Sequence, residues 1–200
     1  MTQHEPSPQL DSLAAKLSSS KVSDMATGLA SDPQVNALWK EFPDAAPYAA
    51  LVVDTKRPDP VRFGAALVLL SKSADAFAKI DRPVVAKVFA SALSRDLAGW
   101  AWPWGGLWAT PGDAVGTLGR VFIEIGAPAV PALEALLDDT TRRSSYEGSE
   151  EATEMAMKKY RVKDFAAFYL ARILKLDLPW EPNLTRRDAA IENLRKQLHG

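Results

Sequence analysis

The sequence has 200 residues and a mass of 21.7 kDa, which is enough for one ordinary globular domain or at most two small ones. Hydrophobic residues make up 47% of it and charged residues 24%, as in a folded chain with a hydrophobic core, whereas a net charge of −1 argues against a general nucleic-acid-binding protein. The chain has no cysteine, and its two histidines, His4 and His199, lie at its ends, so disulfides, thiolate chemistry, histidine acid–base chemistry and two-histidine metal sites have little support.

The first residues are polar and include two prolines, so we expect residues 1–8 to form a flexible tail before a single helical domain over residues 9–200. This polar start is not typical of a secretory signal, and no apolar segment is long enough to cross a bilayer. Together with the absence of cysteine, these features predict a cytoplasmic protein without a membrane partner. We also expect no metal and no cofactor.

Apolar residues recur along most of the chain at the spacing of an α-helix, and no alternating segment with hairpin signals is found. In the stretch 113–125, one helical face would carry Val115, Leu118, Val121, Phe122 and Ile125. The predicted helices cover 9–18, 22–30, 33–40, 44–54, 59–72, 82–94, 112–125, 128–138, 150–176 and 185–198. The pattern therefore predicts an all-α fold.

Two of these segments carry further expectations. Segment 59–72 is the most apolar, with side chains such as Phe63 and Leu67 around nearly its whole circumference, so it should be a buried centre. Segment 150–176 fits either one long helix or two helices that break near Tyr160.

Helix starts recur in one chemical form, an oxygen-bearing N-cap residue followed by proline at the first helical position. The pairs with this form are Asp32-Pro33, Asp59-Pro60 and Thr110-Pro111, and Asp81 followed by Pro83 is a looser version. Thr185 followed by Asp188 is similar to a capping box. Each of these sites is expected to begin a helix.

The stretch 125–138 contains Gly126, which can end one helix in a left-handed conformation, and Pro128, which can begin the next. Its Gly, Ala-Val-Pro-x-Leu and Leu-Leu pattern resembles the first helix of a HEAT-like repeat, and segments 59–66 and 162–167 resemble the second helix. The resemblance implies a right-handed α-solenoid of degenerate HEAT-like helical hairpins, with a curved surface that binds another macromolecule. Some proteins of that architecture are enzymes, including a class of DNA alkylation glycosylases.

Four of the six tryptophans lie in a short segment rich in glycine that also contains a proline. Trp100, Trp102, Trp104 and Trp108 are candidate partner-binding residues, because aromatic anchors are enriched in interface hot spots and can also form stacking platforms. The alternative is that the rings pack between helix pairs, with each indole N–H bonded to a backbone acceptor. Both alternatives stay open from the sequence.

The stretch 138–154 is polar and acidic. Its Glu147, Glu150 and Glu151 are candidate contacts for a basic partner, whereas the alternative is a solvated connector. After Met157 the chain collects basic residues, which could steer an acidic partner. The alternative is an ordinary exposed face that is balanced by nearby carboxylates such as Asp164 and Asp188.

Residues suited to catalysis are few. The helical phase of Glu124 places it opposite the apolar stripe, so we expect it to be exposed. Asp164 is expected to be a structural residue near a helix start. A HEAT-type glycosylase would need Asp164 or Asp113 beside tryptophan and arginine in a basic groove, and the near-zero net charge argues against such a groove.

These observations favour a non-enzymatic protein-binding module or adaptor, one form of which is a bacterial immunity-type protein that neutralises a toxin. A HEAT-type DNA glycosylase, or another enzyme acting on a base or chromophore, is the first alternative. A self-associating structural repeat protein is the second. We expect a protein partner rather than nucleic acid, and a monomeric chain.

Overall fold

A computed structural model of the chain describes residues 8–98, 107–111, 114–142, 159–181 and 183–199. The regular secondary structure of this part is helical apart from one two-residue antiparallel pair and an isolated bridge between Arg142 and Arg161, which agrees with the expected all-α class. The chain divides into two compact units, Met1–Val88 and Phe89–Gly200. Within the described ranges, none of the helices combines the length and apolarity needed to span a bilayer.

The first unit consists of short helices joined by tight turns. They are α1 (Pro8–Ser19), α2 (Val22–Gly28), a 3-10 turn (Leu29–Ser31), α3 (Pro33–Glu41), α4 (Ala45–Val53), α5 (Asp59–Lys72) and α6 (Ala74–Ala78). Helix α7 (Arg82–Arg95) begins in this unit and ends in the second. The predicted helices of this region are confirmed to within a few residues, whereas α6 was not predicted from the sequence.

Helix α5 is the centre of the first unit, as expected from its composition. Its Phe63 and Leu67 are fully buried, and α1, α2, α3 and α4 all pack against it. Burying an aromatic or leucine side chain of this kind contributes about 1.5–3 kcal/mol each relative to exposure. The apolar surface around α5 is therefore covered by four neighbouring helices.

Two of the predicted caps in this unit have different outcomes. The carboxylate of Asp32 accepts hydrogen bonds from the backbone N–H groups of Gln34 and Val35 at 2.8 and 2.9 Å, so Asp32 is the N-cap of α3 as predicted. The prediction for Asp59 is wrong, because Pro58 flanks α5 and Asp59 is already inside its first turn. There its carboxylate lies 3.7 Å from the Arg62 guanidinium, one turn along the helix.

The second unit contains a small antiparallel pair followed by helices. Strand β1 (Ala109–Thr110) pairs with β2 (Ala114–Val115), with Ala109 opposite Val115. The helices after the end of α7 are α8 (Thr117–Ile125), a 3-10 turn (Ala127–Ala129), α9 (Val130–Glu134), α10 (Val162–Leu174) and α11 (Leu184–His199).

The predicted helix over 112–125 is wrong in its first part, since α8 begins only at Thr117. The backbone before it is paired across the strands instead, because Gly116 donates its N–H to the carbonyl of Trp108 and Leu118 donates to that of Leu107, both at 2.7 Å. Thr110 is consequently a strand residue and caps no helix. The prediction failed because residues 107–110 offer carbonyl acceptors that helical periodicity does not report.

Helix boundaries elsewhere in the second unit refine the sequence predictions. Gly126 ends α8 with a φ of +71°, a positive value that glycine tolerates best, although its ψ of −139° is not the left-handed helical value. The predicted helix 128–138 is reduced to a 3-10 turn and the short α9. Helix α10 begins at Val162, and the chain is not helical at Tyr160. This excludes one continuous helix over 150–176 and agrees with a break near Tyr160. Residues 150–158 lie outside the described ranges.

Candidate partner-binding cleft

Most of the site residues predicted from the sequence lie outside the described ranges. These residues are Trp100, Trp102, Trp104, Glu147, Glu150 and Glu151. Trp108 is described and is only 1% exposed. Its ring lies 6.4 Å from that of Phe89 and 6.3 Å from that of Phe122, so this tryptophan follows the packing alternative and has almost no surface to offer a partner.

An aromatic cluster in the core of the second unit accounts for the position of Trp108. Phe122 of α8 contacts Trp108 on one side and Tyr169 of α10 on the other, with ring centroids 5.0 Å apart in the second pair. Gly119 faces the same cluster, and a Cβ atom there would lie 2.7 Å from the Tyr169 ring and still closer to the Trp108 carbonyl oxygen. Glycine is therefore required at this point by close approach rather than by its φ angle.

A buried charge cluster joins the beginning of α10 to the beginning of α11. Asp164, whose side chain is 0% exposed, accepts hydrogen bonds from the Arg161 backbone N–H at 2.8 Å and from its Nη2 at 2.9 Å. Arg187 of α11 donates from Nη1 to the same carboxylate at 2.9 Å. The carboxylate is thus saturated by two guanidinium groups, and Asp164 is structural, as expected from its place near a helix start.

Asp188 balances the remaining positive charge at the edge of this cluster. Its Oδ1 lies 2.8 Å from both Arg161 Nη2 and Lys163 Nζ. Burial alone would raise the pKa of Asp188, but the hydrogen bonds from Arg161 and Lys163 outweigh it and hold that pKa below its usual range. Burial likewise lowers the pKa of Arg161, yet its bonds to Asp164 and Asp188 raise it overall, so both groups are charged at neutral pH.

The basic residues of this region therefore follow the balanced alternative of the sequence prediction at several positions. Arg195 of α11 pairs with Asp138 at 2.8 Å, in addition to the contacts of Arg161, Lys163 and Arg187. Arg172 and Lys175 differ, because neither has an ion-pair partner among the described residues. Both are exposed.

The charge cluster also fixes an aromatic side chain. The Arg187 guanidinium stacks on the ring of Trp180 at 4.1 Å from its centroid and donates from Nε to the carbonyl of Glu181 at 2.9 Å. The ring of Tyr160 lies 5.1 Å from that of Trp180. Because Arg187 is itself held by Asp164, the half-buried Trp180 is oriented by a continuous set of contacts.

A cleft of about 560 Å³ opens between the carboxyl end of α10 and the segment that follows it. Its apolar lining consists of Phe168, Ala171, Leu176, Leu178 and Trp180. Three charged and exposed residues also line it, namely Arg172, Lys175 and Asp177. We call this feature the α10 cleft.

The geometry of the α10 cleft follows from how α10 ends. Lys175 is the C-cap residue in the left-handed conformation, with φ 56° and ψ 38°, and this conformation turns the chain away from the helix axis. Arg172, one turn earlier, lies over the ring of Phe168 at 5.2 Å. The result is a pair of cations beside an apolar and aromatic surface, which can contact a ligand that combines carboxylates with an apolar group.

Sequence reasoning did not single out Trp180 or the α10 cleft. The only local signals were a tryptophan between two prolines, Pro179 and Pro182, and two basic residues at the end of a helix. Neither signal is specific. The contact that gives Trp180 its orientation comes from Arg187, and a single sequence does not report that pairing.

Of the three residues considered for catalysis, the structure describes Glu124 and Asp164. Glu124 is exposed, as predicted from its helical phase, and Asp113 lies outside the described ranges. Asp164 is buried and pairs with two arginines, Arg161 and Arg187. Across the part of the chain with described coordinates, no three Asp, Glu or His side chains converge as a metal site would require.

Comparison of the chain with protein-family models, with curated proteins and with solved structures found no match. The resemblance to HEAT-like repeats therefore rests on the residue pattern of this chain alone.

Proposed function

We propose that this chain is a non-enzymatic module that binds another protein, and that the α10 cleft is part of its recognition surface. The observation that carries the proposal is the pair of exposed cations, Arg172 and Lys175, beside an aromatic ring that is already held in place by Arg187. Arginine and tryptophan are the residue types most enriched in interface hot spots. A ring whose orientation is fixed before binding loses less conformational entropy when the partner arrives.

The tryptophan-rich segment and the acidic segment are the remaining proposed contacts. Trp100, Trp102 and Trp104 are proposed as aromatic anchors, and Glu147, Glu150 and Glu151 as contacts for basic groups of the partner. Trp108 is left out because its ring is buried. A partner that contacts both segments and the cleft would meet carboxylates as well as cations.

The proposal extends to the arrangement of the helices and to the setting of the protein. Each unit is proposed to consist of degenerate HEAT-like hairpins stacked in a right-handed sense, as the Gly126–Pro128 turn and the packing of α4 on α5 suggest. A cytoplasmic bacterial protein of this kind could act as an adaptor or as an immunity protein that neutralises one toxin. Neutralisation predicts one partner with a dissociation constant of about 1 nM or below.

The test is a pull-down from native extract with the full chain as bait. Two variants are compared with the wild type, Trp102→Ala/Trp104→Ala and Arg172→Gln/Lys175→Gln, after circular dichroism has established that each is folded. Trp108 is kept in both, since truncating a buried tryptophan costs about 3–5 kcal/mol and would confuse binding with folding. The expected result is one stoichiometric protein that binds the wild type and binds at least one of the two variants more weakly.

Two results would contradict the proposal. The first is recovery of nucleic acid alone, removable by salt, which would favour the glycosylase alternative. The second is the absence of any stoichiometric protein together with a concentration-dependent increase of mass in light scattering, which would favour the self-associating repeat protein. A monomer in light scattering excludes self-assembly.

A further inference from the structure

We infer that the α10 cleft binds an acidic peptide segment of the partner, in which carboxylates flank one large apolar side chain. This inference rests on the proposed function and names the chemistry of the partner at that site. The volume of about 560 Å³ exceeds the size of one side chain and lies within the range of about 300–1,000 Å³ that is usual for binding pockets. The cleft can therefore receive several residues of an extended segment.

The apolar part of the cleft defines where the large side chain would lie. Phe168 is buried, with 6% of its surface exposed, whereas Trp180 is half-buried, so Trp180 supplies most of the aromatic surface that solvent can reach. Trp180 cannot easily turn away, because Arg187 covers it at 4.1 Å and is itself bonded to Asp164. An apolar side chain placed against these rings would lose its water contact without requiring the site to rearrange.

The charged part of the cleft defines the flanking groups. Arg172 and Lys175 have no carboxylate partner among the described residues, whereas Arg161, Lys163, Arg187 and Arg195 all have one. Cations in the last turn of a helix also interact favourably with its dipole, so charge alone would not define a site. Asp177 lines the cleft as well, which leaves an excess of one positive charge and calls for more acidic than basic groups in the ligand.

The backbone at Lys175 decides where its side chain lies relative to the cleft. A left-handed φ of 56° at a helix end is usually taken by glycine or asparagine, because a Cβ atom disfavours that conformation. Here a lysine holds it, and the ammonium group lies at the cleft as a consequence.

A peptide fits these observations better than a small anion. Both cations are exposed, so a carboxylate paired with them would stay partly hydrated. A small-molecule site usually encloses most of its ligand and buries the polar groups that orient it. An extended acidic segment needs no such enclosure and can contact both cations and the aromatic lining at once.

The first experiment is a titration of the full ¹⁵N-labelled chain with the probe peptide acetyl-Glu-Glu-Phe-Glu-Glu-amide, followed by NMR. The Trp180 indole resonance is assigned with the variant Trp180→Phe. We expect saturable shifts at Trp180, Ala171 and Leu176, weakened by added salt because the ion pairs are exposed. The uncharged peptide acetyl-Gln-Gln-Phe-Gln-Gln-amide should give no such shifts.

The variants decide whether the cleft is responsible. In Arg172→Gln/Lys175→Gln the affinity for the probe should fall roughly tenfold, as expected from losing two exposed ion pairs. The matched control Arg186→Gln/Lys196→Gln removes the same charge from exposed positions on α11 and should bind as the wild type does. An equal loss in both double variants, shifts outside the cleft, or tighter binding of indole-3-acetate at the same resonances would each overturn the inference.

The same variants separate this inference from the proposed function. If the natural partner binds Arg172→Gln/Lys175→Gln as tightly as the wild type, the inference is overturned while protein binding stands. If no partner exists, the proposed function fails, and the probe titration alone decides whether the cleft takes acidic peptides.

Discussion

At the scale of single residues, Asp164 accepts hydrogen bonds from two guanidinium groups while its own side chain is completely buried. The variant Asp164→Asn would leave Arg161 and Arg187 buried without their shared carboxylate. Breaking a buried pair by removing one partner costs about 3–5 kcal/mol, because the charge that remains is neither solvated nor compensated. We expect the free energy of unfolding, measured by urea denaturation, to fall by that amount.

Asp188→Asn is the matched control for this prediction. Asp188 contacts Arg161 as well, but its side chain is 45% exposed, and exposed ion pairs contribute about 0–1 kcal/mol. The free energy of unfolding should therefore fall by at most about 1 kcal/mol in Asp188→Asn. Equal costs for the two variants would show that Asp164 is not the centre of the cluster.

The same residues mark how far sequence reasoning reaches. The position of Asp164 three residues into α10 follows from its place near a helix start, and its structural role was predicted. Its second partner, Arg187, lies 23 residues further on. No local pattern in the sequence reports that contact. The orientation of Trp180 depends on it and could therefore not be predicted either.

At the scale of elements, α11 begins one residue earlier than predicted and is capped by a different side chain. The Asn183 Oδ1 atom accepts from the backbone N–H groups of Thr185 and Arg186 at 3.0 and 3.2 Å. Thr185, which the sequence favoured as the cap, is already inside the helix and exposed. The same polar residue types occur at the N-cap and in the first turn of a helix, so the residue pattern alone placed the start of α11 wrongly.

Asn183→Ala should lower the free energy of unfolding by about 1 kcal/mol, since two N–H groups of the first turn lose their acceptor. Thr185→Ala is the control and should change it by less than about 0.5 kcal/mol, as is usual for an exposed site. Thermal denaturation of both variants, followed by circular dichroism, measures the difference. A larger loss for Thr185→Ala would restore the cap predicted from the sequence.

The contact between α10 and α11 should also depend on pH. The pKa of Asp188 in the folded chain lies below its usual range, because the hydrogen bonds from Arg161 and Lys163 outweigh the effect of burial. A carboxyl whose folded pKa is lowered stabilises the fold above its unfolded value, and this stability is lost as the pH falls through the folded pKa. The melting-temperature difference between wild type and Asp188→Asn should be constant above about pH 5 and shrink below about pH 4. A constant difference down to pH 2 would contradict the assignment.

At the scale of the whole molecule, positive and negative charges nearly cancel. The chain carries 24 basic and 25 acidic residues, and several of the basic ones in the second unit are paired with carboxylates.

The helical class could be predicted from periodicity, because most helices bury one apolar face. The strands before α8 could not, since they depend on carbonyl groups of a neighbouring segment.

Near-neutral charge leads to a last prediction, that the full chain has little affinity for DNA. Non-specific DNA binding arises from releasing counterions at several Lys or Arg contacts and gives dissociation constants of about 10⁻⁴ to 10⁻⁶ M. With a net charge of −1, this chain should bind a fluorescent duplex more weakly than about 10⁻⁴ M at physiological salt, as measured by anisotropy. Any residual binding at low salt should weaken in Arg172→Gln/Lys175→Gln, because these two exposed cations have no ion-pair partner among the described residues. Micromolar binding that falls steeply with salt and survives in that variant would instead point to a basic surface elsewhere, and to the glycosylase alternative.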